Sequence, residues 1–169
     1  LMVSYGDILY EKQVLRKMID SNGDISVAID IKWRPYWEER FDDPLSDAET
    51  LKTDSTGRLI EIGQKPDNLD DIEAQYIGLT VFKGKGLSML KYIYDQERKA
   101  FQNGERFICK ERSMQQLYMT DFIQGLINQG CWVSPVPIDG GWLEIDSISD
   151  LKIAEKYMDP NSGPLKINR

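Results

Sequence analysis

The sequence has 169 residues, of which 41% are hydrophobic and 29% are charged, and its formal net charge is −7. This length and composition are typical of one globular domain. No basic stretch offers the charge pattern of a nucleic-acid-binding protein, and no apolar stretch approaches the roughly 20 residues of a membrane span. We therefore expect neither nucleic acid nor a membrane as a partner.

Two residue types narrow the chemistry further. The sequence contains no histidine, which excludes a His-based catalytic triad and leaves carboxylates as the hard metal ligands. Cys109 and Cys131 stand far apart and match no zinc or redox spacing. We therefore predict two reduced thiols and a cytoplasmic location.

The first third of the chain predicts alternating strands and helices. Residues 3–5 are typical of a strand end, and residues 11–20 carry apolar side chains at helical spacing. Residues 25–31 are nearly all apolar, which indicates a strand covered on both faces. Residues 32–54 contain two prolines among aromatic and charged side chains, so we predict an irregular segment.

The later elements are predicted from turn, cap and periodicity signals. They are a hairpin, a strand, two helices, a proline-containing edge strand and a last helix, at residues 50–63, 75–82, 87–101, 114–128, 132–138 and 147–158. The pattern predicts an α/β fold with a mixed, mainly parallel sheet and flanking helices. One domain is expected over residues 1–158, with an irregular tail over residues 159–169.

Acidic residues follow two of the predicted strands. In Tyr5-Gly6-Asp7 the glycine permits a close approach, and Asp7 is either a magnesium ligand or the capping residue of a simple turn. Glu144 and Asp146 stand two apart in an extended segment, so both side chains point to one face. They either share a divalent cation or are solvated acids before a helix.

Three other features have both a functional and a purely structural interpretation. Lys65, before a proline at the end of the hairpin, either holds a phosphate or is a solvent-exposed turn lysine. Asp121 lies on a predicted helix and is either a substrate ligand or solvated. Trp33, Tyr36 and Trp37 form either a local core or a platform for a sugar or an organic cation.

The order of these segments resembles the sugar-1-phosphate nucleotidyltransferase-like family of NTP transferases. In chain order the segments are VSYGDI, QKP, EAQYIGL, TDFIQGLINQG and GGWLEIDSISDL. They are most similar to the small cytidylyltransferases that act on phosphocholine, aminoethylphosphonate and similar phosphorylated alcohols. GGWLEID is the most specific segment, whereas in QKP the acid usual in the family is replaced by Gln64.

The resemblance implies a Rossmann-like fold and a Mg²⁺-dependent enzyme. It would transfer a nucleotidyl group from an NTP, with CTP favoured, to a phosphorylated small acceptor and release pyrophosphate. Asp7 and Asp146 are the implied catalytic residues, and Glu144 completes the implied metal site. The implied substrate contacts are Lys65 at the acceptor phosphate, Glu73, Gln75, Tyr76 and Gly78 along the acceptor pocket, and Asp121 with Trp33 at a small cation site.

The family's glycine- and arginine-rich phosphate loop, with its following lysine, has no counterpart in residues 1–169. The resemblance therefore implies an incomplete fold, the C-terminal portion of an enzyme, which is inactive alone and self-associates through an exposed sheet edge. Two alternatives remain open. One is a non-catalytic binding or regulatory module on the same fold, and the other is a glycosyltransferase with an Asp-x-Asp-type metal site.

Overall fold

The computed structural model of the chain describes residues 1–159 and 161–165. In chain order its elements are β1 (Met2–Ser4), β2 (Ile8–Tyr10), α1 (Lys12–Asp20), β3 (Ile25–Asp30), α2 (Trp33–Arg40), β4 (Leu51–Thr53), β5 (Leu59–Ile62), β6 (Gln75–Phe82), α3 (Gly84–Gln102), α4 (Met119–Asn128), β7 (Ser134–Ile138), β8 (Trp142–Glu144) and α5 (Ile148–Tyr157). Short 3-10 helices occupy Pro44–Ser46, Leu69–Asp71 and Met114–Gln116.

The central sheet has four strands in the order β1-β6-β3-β7. The predicted α/β class and mixed sheet are confirmed, but the mainly parallel arrangement is wrong, because only the β3–β7 pair is parallel. β1 and β3 do run in one direction, as a strand-helix-strand unit predicts, yet β6 lies between them and is antiparallel to both. β6 is almost entirely buried, and because it lies between β1 and β3, its backbone groups form hydrogen bonds on both edges.

Two small antiparallel ladders complete the strand structure. β4 and β5 form the predicted hairpin, and the Asp54 carboxylate accepts hydrogen bonds from the backbone N–H groups of Thr56 and Arg58 in its turn. β2, which the sequence did not predict, pairs with β8 so that Ile8 faces Glu144. This second ladder joins the start of the chain to the predicted acidic segment.

α2 lies in the segment predicted to be irregular. Trp33, Tyr36, Trp37 and Arg40 stand at helical spacing, and the first three are buried. Pro35 falls in the first turn, where a backbone N–H has no partner within the helix, so it does not break the helix. The prediction of an irregular segment is therefore wrong at α2, because a proline in the first turn is compatible with a helix.

Helices cover both faces of the central sheet. Buried side chains of α1, α2 and α5 pack in one hydrophobic cluster, with Ile77, Leu79 and Val81 of β6. Buried side chains of α3, α4 and the β4–β5 hairpin pack in a second cluster, with Val27 and Ile29 of β3. The prediction that β3 is covered on both faces is therefore confirmed.

The end of the chain follows the predicted capping signal. The hydroxyl of Ser147 accepts from the backbone N–H of Asp150, and the Asp150 carboxylate accepts in return from the Ser147 N–H, which begins α5. In the predicted tail, residues 161–165 contain no helix or strand, and residues 160 and 166–169 lie outside the described residues. The domain boundary at residue 158 stays a prediction.

Both cysteines carry free thiols, as predicted, and the cytoplasmic location stays a prediction. None of the helices in the part of the chain that the structure describes is long and apolar enough to cross a membrane.

Asp30, at the end of β3, joins the sheet to the loop before β8. Its side chain is 2% exposed and accepts hydrogen bonds from the N–H groups of Lys32 (2.8 Å) and Gly140 (3.1 Å) and from Nε1 of Trp142 (2.8 Å). Asp30→Asn replaces one acceptor oxygen by a donor, so we expect the free energy of unfolding to fall by about 1–3 kcal/mol. Urea titration should detect this loss, while Asp20→Asn on the exposed end of α1 should leave stability unchanged.

Candidate functional site

Asp7 lies next to the segment that carries Glu144 and Asp146. The β2–β8 ladder ends where Ile8 faces Glu144, and the backbone N–H of Ile145 donates to the carbonyl oxygen of Asp7 at 2.9 Å. Two parts of the chain that are far apart in sequence therefore meet at one strand end. This junction places the backbone of Asp7 beside the segment that carries Glu144 and Asp146.

A cavity of about 230 Å³ opens at this junction, and we call it the acidic cavity. Its walls combine aromatic rings with carboxylates, and its lining residues are Tyr5, Trp37, Asp47, Glu49, Gln75, Tyr76, Tyr118, Thr120, Glu144 and Asp146. Four predicted site residues, Gln75, Tyr76, Glu144 and Asp146, thus share one cavity. Such walls suit a ligand that bears a positive charge.

Arg40 is the cation that neutralises this strand end. Its side chain is 1% exposed and bonds Glu144 through Nη1 (2.7 Å), Asp146 through Nη2 (2.9 Å) and Asp150 through Nε (3.0 Å). Burial raises the pKa of the Glu144 carboxyl, and the Arg40 guanidinium opposes that rise. Burial also acts on Asp150, but hydrogen bonds from Arg40 and Ser147 hold its pKa below the ordinary value.

Two tyrosines fix the backbone around the acids. The Tyr36 hydroxyl accepts from the N–H of Glu144 (3.0 Å) and donates to the Glu144 carbonyl (3.2 Å), and burial raises its pKa to about 12. Burial also raises the pKa of Tyr5 to about 12, with contributions from the negative charges of Glu49, Glu144 and Asp7. The Tyr5 hydroxyl therefore lies in the field of three carboxylates.

The Asp7 carboxylate is exposed and makes no hydrogen bond or ion pair with any residue that the structure describes. Asp146 uses Oδ2 for Arg40, and its Oδ1 makes no hydrogen bond within the same residues. Over residues 1–159 and 161–165, no three His, Cys, Asp or Glu side chains form a group that could hold a metal ion. The magnesium site therefore stays a prediction.

The predicted site residues on β6 and just before it make different contacts. Gly78 has φ +80°, and a Cβ there would lie 2.6 Å from the Tyr5 ring, so the glycine permits this ring to pack against the strand. Gln75 donates to the Glu49 carbonyl (2.6 Å) and accepts from the Glu49 N–H (3.3 Å). Glu73, two residues before β6, is exposed and accepts from the backbone N–H and the hydroxyl of Thr53 in the hairpin.

Lys65 and Asp121 line a different space. They share a larger cleft of about 690 Å³, in which Lys110 and Arg112 are further cations. The Asp121 carboxylate accepts from Arg112 Nη1 at 2.6 Å and from the N–H of Tyr118 at 2.9 Å, where it caps the start of α4. Asp121 therefore already has a cationic partner within the chain.

The structure does not bring Trp33 and Asp121 together as a cation site. Trp33 is 4% exposed and packs edge-on against Trp37 at 5.9 Å between ring centroids, within the cluster formed by α1, α2 and α5. Asp121 lies in the first turn of α4, whose apolar side chains pack in the other cluster. Helical spacing directs Trp33 into the core, which explains the difference.

Sequence reasoning missed two residues of the site. Arg40 and Glu49 contact or line it, but neither belongs to a motif that the sequence analysis used, whereas Trp37 belongs to the predicted aromatic cluster. The spacing of Trp33, Trp37 and Arg40 along one helix face was the available signal for α2. No sequence pattern indicated Glu49, because its position depends on the Gln75 amide from another element.

Removing Arg40 should expose its contribution to the fold. In Arg40→Met, the largely buried carboxylates of Glu144 and Asp150 lose their cationic partner. We therefore expect the free energy of unfolding to fall by about 3–5 kcal/mol. Arg40→Lys keeps the charge but not the three directional contacts, and should lose less. Urea denaturation measures both. Arg34→Met, on the exposed face of α2, should cost under about 1 kcal/mol, and an equal loss in both Met variants would contradict this assignment.

Glu49 should give folding a pH dependence. Burial raises its pKa from 4.5 to about 7, helped by Asp47 and Asp121 and opposed by a hydrogen bond from Thr120. Because the folded state binds this proton more tightly, the stabilisation is complete below the unfolded pKa and is lost as the pH rises through about 7. The free energy of unfolding of Glu49→Gln, relative to that of the parent chain, should therefore be up to about 3 kcal/mol higher at pH 8 than at pH 5.

Urea titrations at the two pH values test this, with Glu155→Gln on the exposed face of α5 as the control. A difference between parent and Glu49→Gln that stays constant with pH would show that Glu49 keeps an ordinary pKa.

Known proteins resemble this chain in sequence and in fold. No protein-family model matches the chain. Over 154 residues the chain is 38% identical to a CTP:phosphoglutamine cytidylyltransferase of Campylobacter jejuni, a match that covers 90% of this chain and 58% of that protein. The chain thus spans less than two thirds of the length of this relative.

Solved structures share the fold at low sequence identity. An inositol-1-phosphate CTP transferase from T. maritima matches with a TM-score of 0.58 and 18% identity, over 91% of this chain and 53% of that chain. A nucleoside-diphosphate-sugar pyrophosphorylase from Vibrio cholerae matches with a TM-score of 0.54 and 12% identity, over 90% and 54%. The sequence likeness supports an NTP transferase (nucleotidyltransferase) family member, and the solved structures show that the fold is shared.

Proposed function

We propose that this chain is part of a cytidylyltransferase that transfers a cytidylyl group from CTP to a phosphorylated small acceptor and releases pyrophosphate. The observation that carries the proposal is the junction of Asp7 with the segment from Glu144 to Asp146 at the acidic cavity. The name of the Campylobacter jejuni relative, a CTP:phosphoglutamine cytidylyltransferase, supports both CTP and a phosphorylated acceptor.

Asp7 and Asp146 fit Mg²⁺, which binds hard oxygen ligands and typically takes one or two carboxylates together with substrate phosphates and water. Asp7 has both carboxylate oxygens without a hydrogen bond in the described part of the chain, and Asp146 keeps Oδ1. When bound, Mg²⁺ supplies the positive charge that lets two phosphate-bearing substrates approach. Glu144 supports the site through Arg40, which orients Asp146.

The acceptor is proposed to carry an ammonium group. The acidic cavity places Trp37, Tyr5, Tyr76 and Tyr118 beside acidic side chains, and aromatic rings with carboxylates favour an organic cation over a neutral sugar. This supports acceptors of the phosphocholine or aminoethylphosphonate type over a sugar phosphate. Lys65, in the larger cleft with Lys110 and Arg112, is the proposed contact to the acceptor phosphate.

We further propose that turnover needs more chain than these 169 residues. The sequence has no glycine-rich loop to hold the triphosphate, and the relative with a cytidylyltransferase name is longer. β1 and β7 are the edge strands of the central sheet within the described residues, so they are the proposed surfaces for self-association or for pairing with further chain.

Pyrophosphate release tests the proposal in the complete gene product that contains this chain. With CTP, Mg²⁺ and phosphocholine or aminoethylphosphonate we expect turnover, and Asp7→Asn and Asp146→Asn should each lower kcat by at least about 100-fold because a metal ligand is removed. Asp20→Asn, an exposed acid on α1, should keep full activity. Unchanged turnover in Asp7→Asn would reject the metal role.

The second candidate is a non-catalytic binding module on the same fold. It is favoured by the missing glycine-rich loop and predicts acceptor binding without turnover. Calorimetry separates the two: an acceptor that binds equally well with and without Mg²⁺, while no NTP binds, supports the module and excludes the transferase.

A further inference from the structure

A second cavity lies between α3 and α4, and we call it the apolar cavity. It has a volume of about 260 Å³ and is lined by Leu90, Tyr94, Glu97, Met114, Leu117, Tyr118, Met119 and Phe122. Seven of these eight side chains are aliphatic, aromatic or thioether groups, and Glu97 is the one that carries a charge. Mainly apolar walls with a few polar groups are typical of a small-molecule site.

Glu97 has a buried carboxylate oxygen without a partner. Its residue is 1% exposed, and Oε2 accepts from the backbone N–H groups of Phe107 (2.9 Å) and Ile108 (2.8 Å). Its other oxygen, Oε1, is buried and makes no hydrogen bond within residues 1–159 and 161–165. The bonds of Oε2 hold the segment after α3, so Oε1 is the part of this side chain without a structural role.

An unpartnered carboxylate oxygen in an apolar environment is costly, and a buried polar group normally finds a partner. No cation lines the apolar cavity, so within it Glu97 meets no ionic partner. The missing partner must carry a donor, preferably charged, and its remainder must be apolar to match the other walls. Nucleotides and phosphorylated acceptors fail the second requirement, because the rest of each molecule carries polar phosphate anions that Glu97 would repel.

We propose that the apolar cavity binds a small molecule with an apolar body and one ammonium group, which donates to Oε1 of Glu97. The volume lies just below the range of drug-sized pockets, so the body corresponds to one aromatic ring or a short aliphatic chain. The Tyr94 ring in the cavity wall adds a favourable surface for the ammonium group, whereas the Tyr118 ring already has the Arg112 guanidinium 4.4 Å from its centroid. This site is separate from the proposed transfer site, although Tyr118 lines both cavities.

Phenylethylammonium is a suitable probe, with 2-phenylethanol as its neutral counterpart and 3-phenylpropanoate as its anionic counterpart. Protein-observed NMR titration of the complete chain should give a dissociation constant at least about tenfold lower for the amine than for the alcohol, because a charge-assisted hydrogen bond is added. The anion should bind least. Shifted resonances should lie on α3, on α4 and in residues 107–118.

Glu97→Gln provides the sharpest variant, because its amide oxygen can still accept from Phe107 and Ile108 while its NH₂ replaces Oε1. We expect at least about a tenfold loss of amine affinity with little change for the alcohol. Asp95→Asn, an exposed acid on the same helix outside the cavity, should bind the amine as the parent does. Leu117→Trp, which fills the cavity and keeps Glu97, should abolish binding of both probes.

Equal affinity for amine and alcohol, unchanged amine affinity in Glu97→Gln, or no shift on α3 and α4 would each overturn the proposal. If Glu97→Gln does not fold, Leu117→Trp decides the outcome, since amine binding that survives a filled cavity contradicts the site. None of these readouts depends on nucleotidyl transfer, so the proposal can fail while the proposed function stands.

Discussion

The guanidinium of Arg40 holds the carboxylates of Glu144, Asp146 and Asp150, which would otherwise repel one another at the end of β8. Its three hydrogen bonds offset the cost of burying a charge, and the rings of Tyr36, Trp37 and Phe41 lie within 4.9–5.6 Å of it. This one interaction connects α2, the end of β8 and the first turn of α5. The orientation of the acidic segment depends on it, because no other cation contacts these acids in the described residues.

The site takes its rigidity from backbone contacts as well. The β2–β8 ladder sets Asp7 beside residue 145, and the Tyr36 hydroxyl bonds both backbone groups of Glu144. Sites built on such elements keep their geometry better than sites on loops alone. These contacts hold the backbone of Asp7 beside the segment of Asp146, and the proposed transfer requires that kind of positioning.

The acidic cavity depends on side chains that act through one another. Gly78 permits Tyr5 to pack on β6, and Gln75 fixes the backbone of Glu49 opposite it. Burial raises the pKa of Glu49. Burial also raises the pKa of Tyr5, and the negative charges of Glu49, Glu144 and Asp7 add to this rise. Gly78 and the Gln75 amide thus influence the electrostatics of the cavity through the residues that they position, Tyr5 and Glu49.

The sequence by itself determined the elements with strong local signals: the buried β3 and β6, the hairpin turn, the Ser147 cap and the acids at two strand ends. Periodicity and capping depend on neighbouring residues, so they can be read locally. Only the tertiary structure decided that β6 separates β1 from β3, that Trp33 is a core residue and that Arg40 holds the acidic segment. Strand order and ion pairs across more than a hundred residues depend on which surfaces bury each other, and no local pattern contains that information.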